Sequence, residues 1–242
     1  MSEMTPIEPG DAILPGNPPT VSRYRLGTRI NHWIGAVTMV LLILSGLSMF
    51  HPSLFFLSVI FGGGQNTRAL HPWFGVVLVL SFIALFVQFW RLNLWNRSDI
   101  TWIAHFRDLM AGHEEKMPEV GKYNAGQKFI FWAMALLILA MFCSGIVIWD
   151  RYFEHLTSIP TQRLALLSHA VCATLIILVL ILHVSAGVWV RGSFDAMIRG
   201  WVTAGWAWRH HRKWLRRLAA TGSRGPTPGQ AAGDAPRMRE GA

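Results

Sequence analysis

The chain has 242 residues, of which 52% are hydrophobic and only 14% are charged. Because soluble domains carry about 25% charged residues, this composition argues against an ordinary soluble enzyme and favours a membrane protein. Two cysteines, Cys143 and Cys172, are too few for an iron–sulfur cluster, and the lack of a C-x-x-C-H motif excludes covalently attached haem.

The two ends of the chain are predicted to be disordered. Five of the first twenty residues are proline and no apolar core is present, so residues 1–22 are expected to form a disordered lead and not a signal peptide. Residues 218–242 are rich in Gly, Pro and Ala and predict a disordered tail. Residues 23–217 between them are expected to form one membrane domain.

Four apolar runs are long enough to cross a bilayer as helices, and none contains Asp, Glu, Lys or Arg. The predicted spans are 32–50, 73–90, 129–149 and 164–190. A buried helix of a soluble protein would show a polar stripe, which these runs lack. The fold class predicted is therefore an all-α membrane protein with a four-helix transmembrane bundle. Shorter helices along the cytoplasmic interface are expected within 99–113 and 194–217.

The distribution of basic residues predicts the orientation. Three arginines precede the first span, six basic residues lie between spans two and three, and ten follow span four. Only Arg68, Arg151 and Arg163 lie on the opposite side. The positive-inside rule then places both termini in the cytoplasm. The net charge of +9 is explained by topology and contact with anionic lipid, so a nucleic-acid partner is not expected.

Four histidines lie at matching depths in these spans. His169 and His183 are fourteen residues apart in span four, which is about four helical turns, or roughly 21 Å, and returns both to one helix face. His71 precedes the outer end of span two, and His32 begins span one at the inner face. Depth matching predicts an outer pair (His71, His169) and an inner pair (His32, His183).

Paired imidazoles in a membrane indicate haem. Two axial histidines give a six-coordinate iron with no open position, suited to electron transfer and not to oxygen binding. The pattern therefore predicts two b haems, with the four histidines as iron ligands. Gly46, fourteen residues after His32, is expected to face the outer haem. The alternative is that these histidines are hydrogen-bonded packing residues. His51 is a reserve ligand.

The chain closely resembles the cytochrome b (gamma) subunit of membrane-bound respiratory formate dehydrogenase over residues 23–217. The segments that carry the resemblance are Asn31-His32-Trp33, Leu70-His71-Pro72-Trp73-Phe74-Gly75, His169 with His183, Trp189-Val190-Arg191-Gly192-Ser193 and, most specifically, Gly121-Lys122-Tyr123-Asn124-Ala125-Gly126-Gln127-Lys128. The resemblance implies two b haems, an iron–sulfur (beta) subunit, and a molybdenum- or tungsten-containing catalytic (alpha) subunit that oxidises formate. It also implies residence in the bacterial inner membrane, with both partners on the periplasmic side.

The resemblance further implies a quinone site. In the family, the region of Asn124, Gly126 and Gln127 borders, together with His183, the site that binds menaquinone or ubiquinone. Amide groups suit a quinone carbonyl oxygen, and a glycine lets the ring approach the backbone. A plainer alternative is that Asn124 caps a helix and Gly126 eases the turn.

Three competing functions remain open at this stage. The first is the cytochrome b subunit of a nickel–iron hydrogenase or a related membrane oxidoreductase, for which histidine pairs are equally suitable. The second is a transporter with a histidine relay, although such proteins usually show internal repeats and broken helices. The third is a membrane anchor without haem, which has no use for depth-matched histidines. No formate-oxidising residues are expected in this chain.

Overall fold

A computed structural model describes residues 7–153 and 157–222 of the chain. Four of its helices are long and apolar enough to cross a membrane. They are α1 (Leu26–Phe50), α2 (Gly64–Phe89), α5 (Ala125–Val147) and α7 (Ile159–Trp189). The predicted all-α, four-span membrane fold is confirmed, and the chain is a multi-pass membrane protein.

The long helices begin earlier than the apolar runs predicted. In α2 the helix starts at Gly64 and contains Pro72, so His71 lies within the helix and not ahead of it. Helical hydrogen bonding continues through polar residues, whereas the prediction followed the apolar runs alone. Because Pro72 lacks an N–H, the carbonyl of Arg68 receives no helical hydrogen bond from it. The α7 helix likewise starts at Ile159, directly before Pro160.

Shorter elements connect the spans. The segment between α2 and α5 contains α3 (Arg97–Ala104) and α4 (Phe106–Met110), in agreement with the predicted short helix. Asn96 caps α3 in a reciprocal capping box with Asp99, which explains why the helix begins there. The remaining short elements before α7 are α6 (Asp150–Phe153) and 3-10 turns at Pro52–Phe61, Trp90–Asn93 and Glu114–Lys116.

The chain divides into two compact units. The membrane unit comprises Gly27–Leu94 and Gly126–Trp189. One buried residue from each long helix forms its central layer: Met39, Leu78, Ile138 and Ile176. Most of the large apolar side chains outside this layer are exposed, as expected for helices whose outer faces contact lipid.

The second unit, built from residues 7–26, 95–125 and 190–222, contains a small antiparallel sheet. Strand β1 (Ala12–Leu14) pairs with β2 (Thr20–Ser22), and β2 pairs with β3 (Trp201–Thr203). The prediction of a disordered lead over residues 1–22 is therefore wrong for 7–22. The described prolines lie outside the strands, and hydrogen bonds from a segment far along the chain order the N-terminal strands.

The C-terminal part of this unit also differs from the prediction. Residues 194–217 do not form one interfacial helix. They contain α8 (Ser193–Arg199), β3, α9 (Ala204–His210) and α10 (Arg212–Ala220). The core beneath them includes Val21, Trp214 and Leu218, each fully buried. The predicted tail begins inside α10, and its residues 223–242 lie outside the described residues.

Candidate functional site

The structure brings the four predicted histidines together in the predicted pairs. In the outer pair, the ring centroids of His71 on α2 and His169 on α7 are 6.4 Å apart. In the inner pair, the centroids of His32 on α1 and His183 on α7 are 6.2 Å apart. His183 is exposed on a helix of Leu, Ile and Val, and the other three are half-buried. An imidazole in an apolar membrane span indicates a functional site, because an ionisable side chain there is costly without a group to bind.

Both separations fit two axial imidazoles on one iron. A histidine nitrogen binds a metal ion at about 2 Å and lies about 1 Å from its ring centre, so opposite ligands have centroids about 6 Å apart. The ring planes of the two pairs are inclined by 65° and 47°. The described residues contain no group of three or more His, Cys, Asp or Glu placed to hold a bare metal ion. Haem iron needs only two protein ligands, so the paired geometry suits haem.

The two pairs lie at different levels of the membrane unit. Ile176 of the central buried layer lies seven residues from both His169 and His183, about two helical turns or roughly 10 Å of rise in each direction. Met39 and Leu78 lie seven residues after His32 and His71. An apolar layer therefore separates the two histidine pairs.

Hydrogen bonds join α1 and α2 next to His32. Asn31 Nδ2 donates to the Ser81 carbonyl at 2.9 Å, and Ser81 Oγ donates to the Asn31 carbonyl at 3.0 Å. A Cβ added at Gly35 would lie 3.1 Å from Ser81 Oγ, so the glycine permits this approach. The position next to His32 in the sequence is thus fixed by a reciprocal contact.

Glycines line the outer pair. A Cβ at Gly46 of α1 would lie 3.4 Å from His71 Cε1, and one at Gly145 of α5 would lie 3.5 Å from His169 Cε1. The structure thus places Gly46 beside the outer pair, where the spacing predicted it. Gly145 was not predicted, nor were Ser45 and Ser144, which precede the two glycines. The sequence feature that could have identified them is a Ser-Gly dipeptide, which occurs in each of these two apolar spans.

The segment predicted to border a quinone surrounds the start of α5. Asn124 directly precedes this helix, Gly126 and Gln127 lie in its first turn, and all three are half-buried. The two lysines of the segment are buried instead. Lys122 binds the Glu8 and Asp11 carboxylates, and Lys128 Nζ donates to the Leu94 carbonyl at 2.9 Å.

A buried polar cluster surrounds Lys122 in the sheet-bearing unit. The Arg23 guanidinium donates to the Lys122 carbonyl at 2.8 Å, and Lys122 Nζ donates to the Arg23 carbonyl at 2.9 Å. His211 Nδ1 lies 2.8 Å from the Gly121 carbonyl. Burial, and then the positive charge of Arg23, hold the pKa of His211 well below its usual value. His211 therefore stays neutral near pH 7 and donates to that carbonyl.

Comparison with known proteins supports the haem assignment. Residues 23–200 match the family model described as prokaryotic cytochrome b561. The formate dehydrogenase cytochrome b556(fdo) subunit of Escherichia coli (strain K12) is 42% identical over 84% of this chain and 95% of its own length.

Two further relatives are similar over most of both chains. The formate dehydrogenase cytochrome b556 subunit of Haemophilus influenzae is 34% identical over 83% of this chain and 84% of its own. The nitrate-inducible cytochrome b556(Fdn) subunit of Escherichia coli (strain K12) is 35% identical over 82% and 91%. The chain therefore belongs to the prokaryotic cytochrome b561 family, and these relatives are cytochrome b subunits of formate dehydrogenases.

Proposed function

We propose that this chain is the dihaem cytochrome b subunit of a respiratory formate dehydrogenase. The observation that carries the proposal is the presence of two histidine pairs at two levels of one membrane unit, each with centroids about 6 Å apart, as bis-imidazole iron requires. His71 and His169 would hold the outer haem, and His32 and His183 the inner haem. The names of the similar proteins support formate dehydrogenase over hydrogenase as the complex.

When bound, haem with two axial imidazoles supplies reversible one-electron transfer with little change in geometry. The four histidines would hold the two groups, and the buried apolar layer that includes Met39 and Ile176 would lie between them. In this proposal the chain conducts electrons inward from a periplasmic iron–sulfur (beta) subunit. The formate-oxidising site lies on a molybdenum- or tungsten-containing (alpha) subunit.

The electron acceptor in this proposal is menaquinone or ubiquinone, bound near the start of α5. Asn124 and Gln127 are half-buried, and an amide side chain can donate a hydrogen bond to a quinone carbonyl and accept one from a quinol hydroxyl. Gly126 lets the quinone ring approach the backbone closely. The burial of Lys122 and Lys128 supports this assignment, because the charged groups of the segment are engaged by the protein.

Both termini lie in the cytoplasm of a bacterial inner membrane in this proposal, so quinol takes its protons from that side. Charge then separates across the bilayer without a pump. Moving one charge against 100 mV requires about 2.3 kcal/mol, supplied by the redox drop from formate to quinone.

Haem content tests this assignment. His71→Ala and His183→Ala are each expected to retain one haem per chain, because each change removes a ligand of a different pair. The measurement is the pyridine haemochrome content of the purified chain, with paramagnetic resonance reporting the axial ligands of the haem that remains. The native chain is expected to hold two haems.

The matched control is His51→Ala. His51 caps the 3-10 turn at Pro52–Phe61 and accepts a hydrogen bond from the Ser53 N–H at 3.2 Å, so its loss is expected to leave both haems in place. Retention of both haems by His71→Ala and by His183→Ala would refute the assignment of the ligands.

A further inference from the structure

Each histidine of the outer pair contacts a buried serine on a neighbouring helix. Ser45 Oγ on α1 lies 2.7 Å from His71 Nδ1, and Ser144 Oγ on α5 lies 2.9 Å from His169 Nδ1. Ser45 is completely buried, and Ser144 is 9% exposed. Each outer histidine thus has a serine hydroxyl from a neighbouring helix within hydrogen-bond distance of its Nδ1 atom.

The hydroxyl protons of both serines are already used by their own helices. Ser45 Oγ donates to the Leu41 carbonyl at 2.7 Å, and Ser144 Oγ donates to the Ala140 carbonyl at 2.7 Å. A serine hydroxyl has one proton and can also accept. Each oxygen therefore accepts a hydrogen bond from the imidazole, and Nδ1 of each ring carries the proton.

This arrangement fixes the tautomer of the outer ligands. With the proton on Nδ1, the lone pair of Nε2 is available to iron in both His71 and His169. A hydrogen bond from the far nitrogen of a ligating imidazole holds the ring orientation and raises the basicity of the ligand. A more basic axial ligand favours ferric over ferrous iron, which lowers the reduction potential.

The inner pair differs. Among the described residues, the buried Nδ1 of His32 has no hydrogen-bond partner. His32 therefore lacks a hydrogen bond at Nδ1 of the kind that Ser45 makes with His71. The two pairs have similar separations, but Nδ1 of His32 lacks the serine contact that Nδ1 of His71 and of His169 has.

We infer that Ser45 and Ser144 are positioning residues for the outer haem, which fix the tautomer and ring plane of its two axial histidines and lower its reduction potential relative to a site without them. This inference rests on the proposed dihaem function. In each Ser-Gly dipeptide of α1 and α5, the serine then orients the histidine ligand, and the glycine that follows leaves space beside its ring.

Redox titration of the purified holo-protein tests the inference. Ser45→Ala is expected to move the outer-haem transition to a more positive potential by a three- to tenfold change in the reduction equilibrium, about 30–59 mV for one electron. The inner-haem transition is expected to stay unchanged. The paramagnetic resonance signal of the outer haem is also expected to shift, because its His71 ring loses its fixed plane. The transition that remains in His71→Ala identifies the inner haem.

Ser48→Ala is the matched control. Ser48 is a buried serine on the same helix, and its hydroxyl donates to the Ser45 carbonyl at 2.7 Å. It is expected to leave both potentials and both resonance signals as in the native protein. Ser144→Ala is expected to shift the same outer transition in the same direction as Ser45→Ala.

The outcomes separate this inference from the proposed function. A native chain without two haems refutes the proposed function, and the inference with it. A native chain with two haems whose potentials and signals are the same in Ser45→Ala as in Ser48→Ala refutes the inference alone. Selective loss of the outer haem in Ser45→Ala, with both haems kept in Ser48→Ala, supports it, because the two variants differ in the contact with His71.

Discussion

In the segment that leads into α5, the charged residues and the amide residues differ in burial. The Lys122 side chain is 1% exposed and binds two carboxylates, and Lys128 is buried against the Leu94 carbonyl. A sequence shows a basic, polar stretch here, and it does not reveal that both lysines are internal. Their partners, Glu8, Asp11 and Leu94, are distant in the sequence. Asn124 and Gln127, by contrast, are half-buried residues.

Replacing an amide at the proposed quinone site tests this division. Gln127→Leu is expected to lower kcat/KM for quinone about fivefold to tenfold, since a typical hydrogen bond contributes about 1 kcal/mol. Haem content is expected to stay at the native value. The measurement is formate-dependent or dithionite-driven quinone reduction by the intact complex. Gln162→Leu, which changes a half-buried glutamine near the start of α7, is the matched control and is expected to leave quinone kinetics unchanged.

Asn124 distinguishes quinone binding from helix capping. Ser retains the capping preference of Asn but lacks its amide, whereas Ala lacks both. Quinone binding predicts that Asn124→Ser and Asn124→Ala both raise KM for quinone. If Asn124 serves only as a cap, Asn124→Ser will have native kinetics and Asn124→Ala will lose thermal stability with an unchanged KM.

At the scale of whole elements, the sequence predicts what depends on composition over about twenty residues. The four spans and the histidine faces of α7 follow from hydropathy and from the 3.6-residue period of a helix. The starts of α1 and α2 do not, because both helices extend over polar residues and α2 continues past Pro72 although proline donates no helical hydrogen bond. Gly46 was placed by the same periodicity as the histidines. Ser45 was not, because one hydroxyl in an apolar run has no periodic signal.

The small sheet was missed for a different reason. Each strand has three residues, which is too short for an alternating pattern to be visible. Strand β2 pairs with β3, which lies near residue 200, and the N-terminal segment is further held by Lys122. Contacts between such distant segments order a proline-rich stretch whose composition alone indicates disorder.

The ion pairs of Lys122 predict how the N-terminal strands are held. Lys122→Met removes the cation that binds the buried Asp11 carboxylate and the half-buried Glu8 carboxylate, and breaking a buried pair in this way typically costs about 3–5 kcal/mol. Residues 7–22 are therefore expected to exchange amide hydrogens faster and to become sensitive to protease. Haem content is expected to remain at the native value, because the four histidines belong to the membrane unit.

Lys116→Met is the control for this change. Lys116 lies 3.6 Å from Asp108 in an exposed pair, and such pairs contribute little to stability. The triple variant Lys122→Met, Glu8→Gln, Asp11→Asn removes all three charges and is expected to recover part of the lost protection. Native exchange rates over 7–22 in Lys122→Met would show that the ion pairs do not hold these strands.

At the scale of the molecule, the side chains are distributed as a bilayer requires. Large apolar residues are exposed along all four spans, among them Leu80, Leu136 and Leu178. Aromatic rings gather near one end of the membrane unit, where the Trp73 and Trp149 centroids are 5.4 Å apart and Tyr152 lies 5.1 Å from Trp149. Rings of this kind are enriched at the lipid–water interface.

The distribution of basic residues predicts the orientation of the molecule in the membrane. Nearly all basic residues lie outside the α1–α2 and α5–α7 connections, so both termini are expected in the cytoplasm. A fluorescent protein fused after the C-terminus is expected to fluoresce, and an alkaline phosphatase fused there is expected to be inactive. The same phosphatase placed in the α1–α2 connection near Gly63 is expected to be active, because in this predicted orientation the connection would face the periplasm. Replacing Arg68, Arg151 and Arg163 with Gln is the control and is expected to keep this topology. An active phosphatase at the C-terminus would show that the orientation is the opposite one, with the outer histidine pair on the cytoplasmic side.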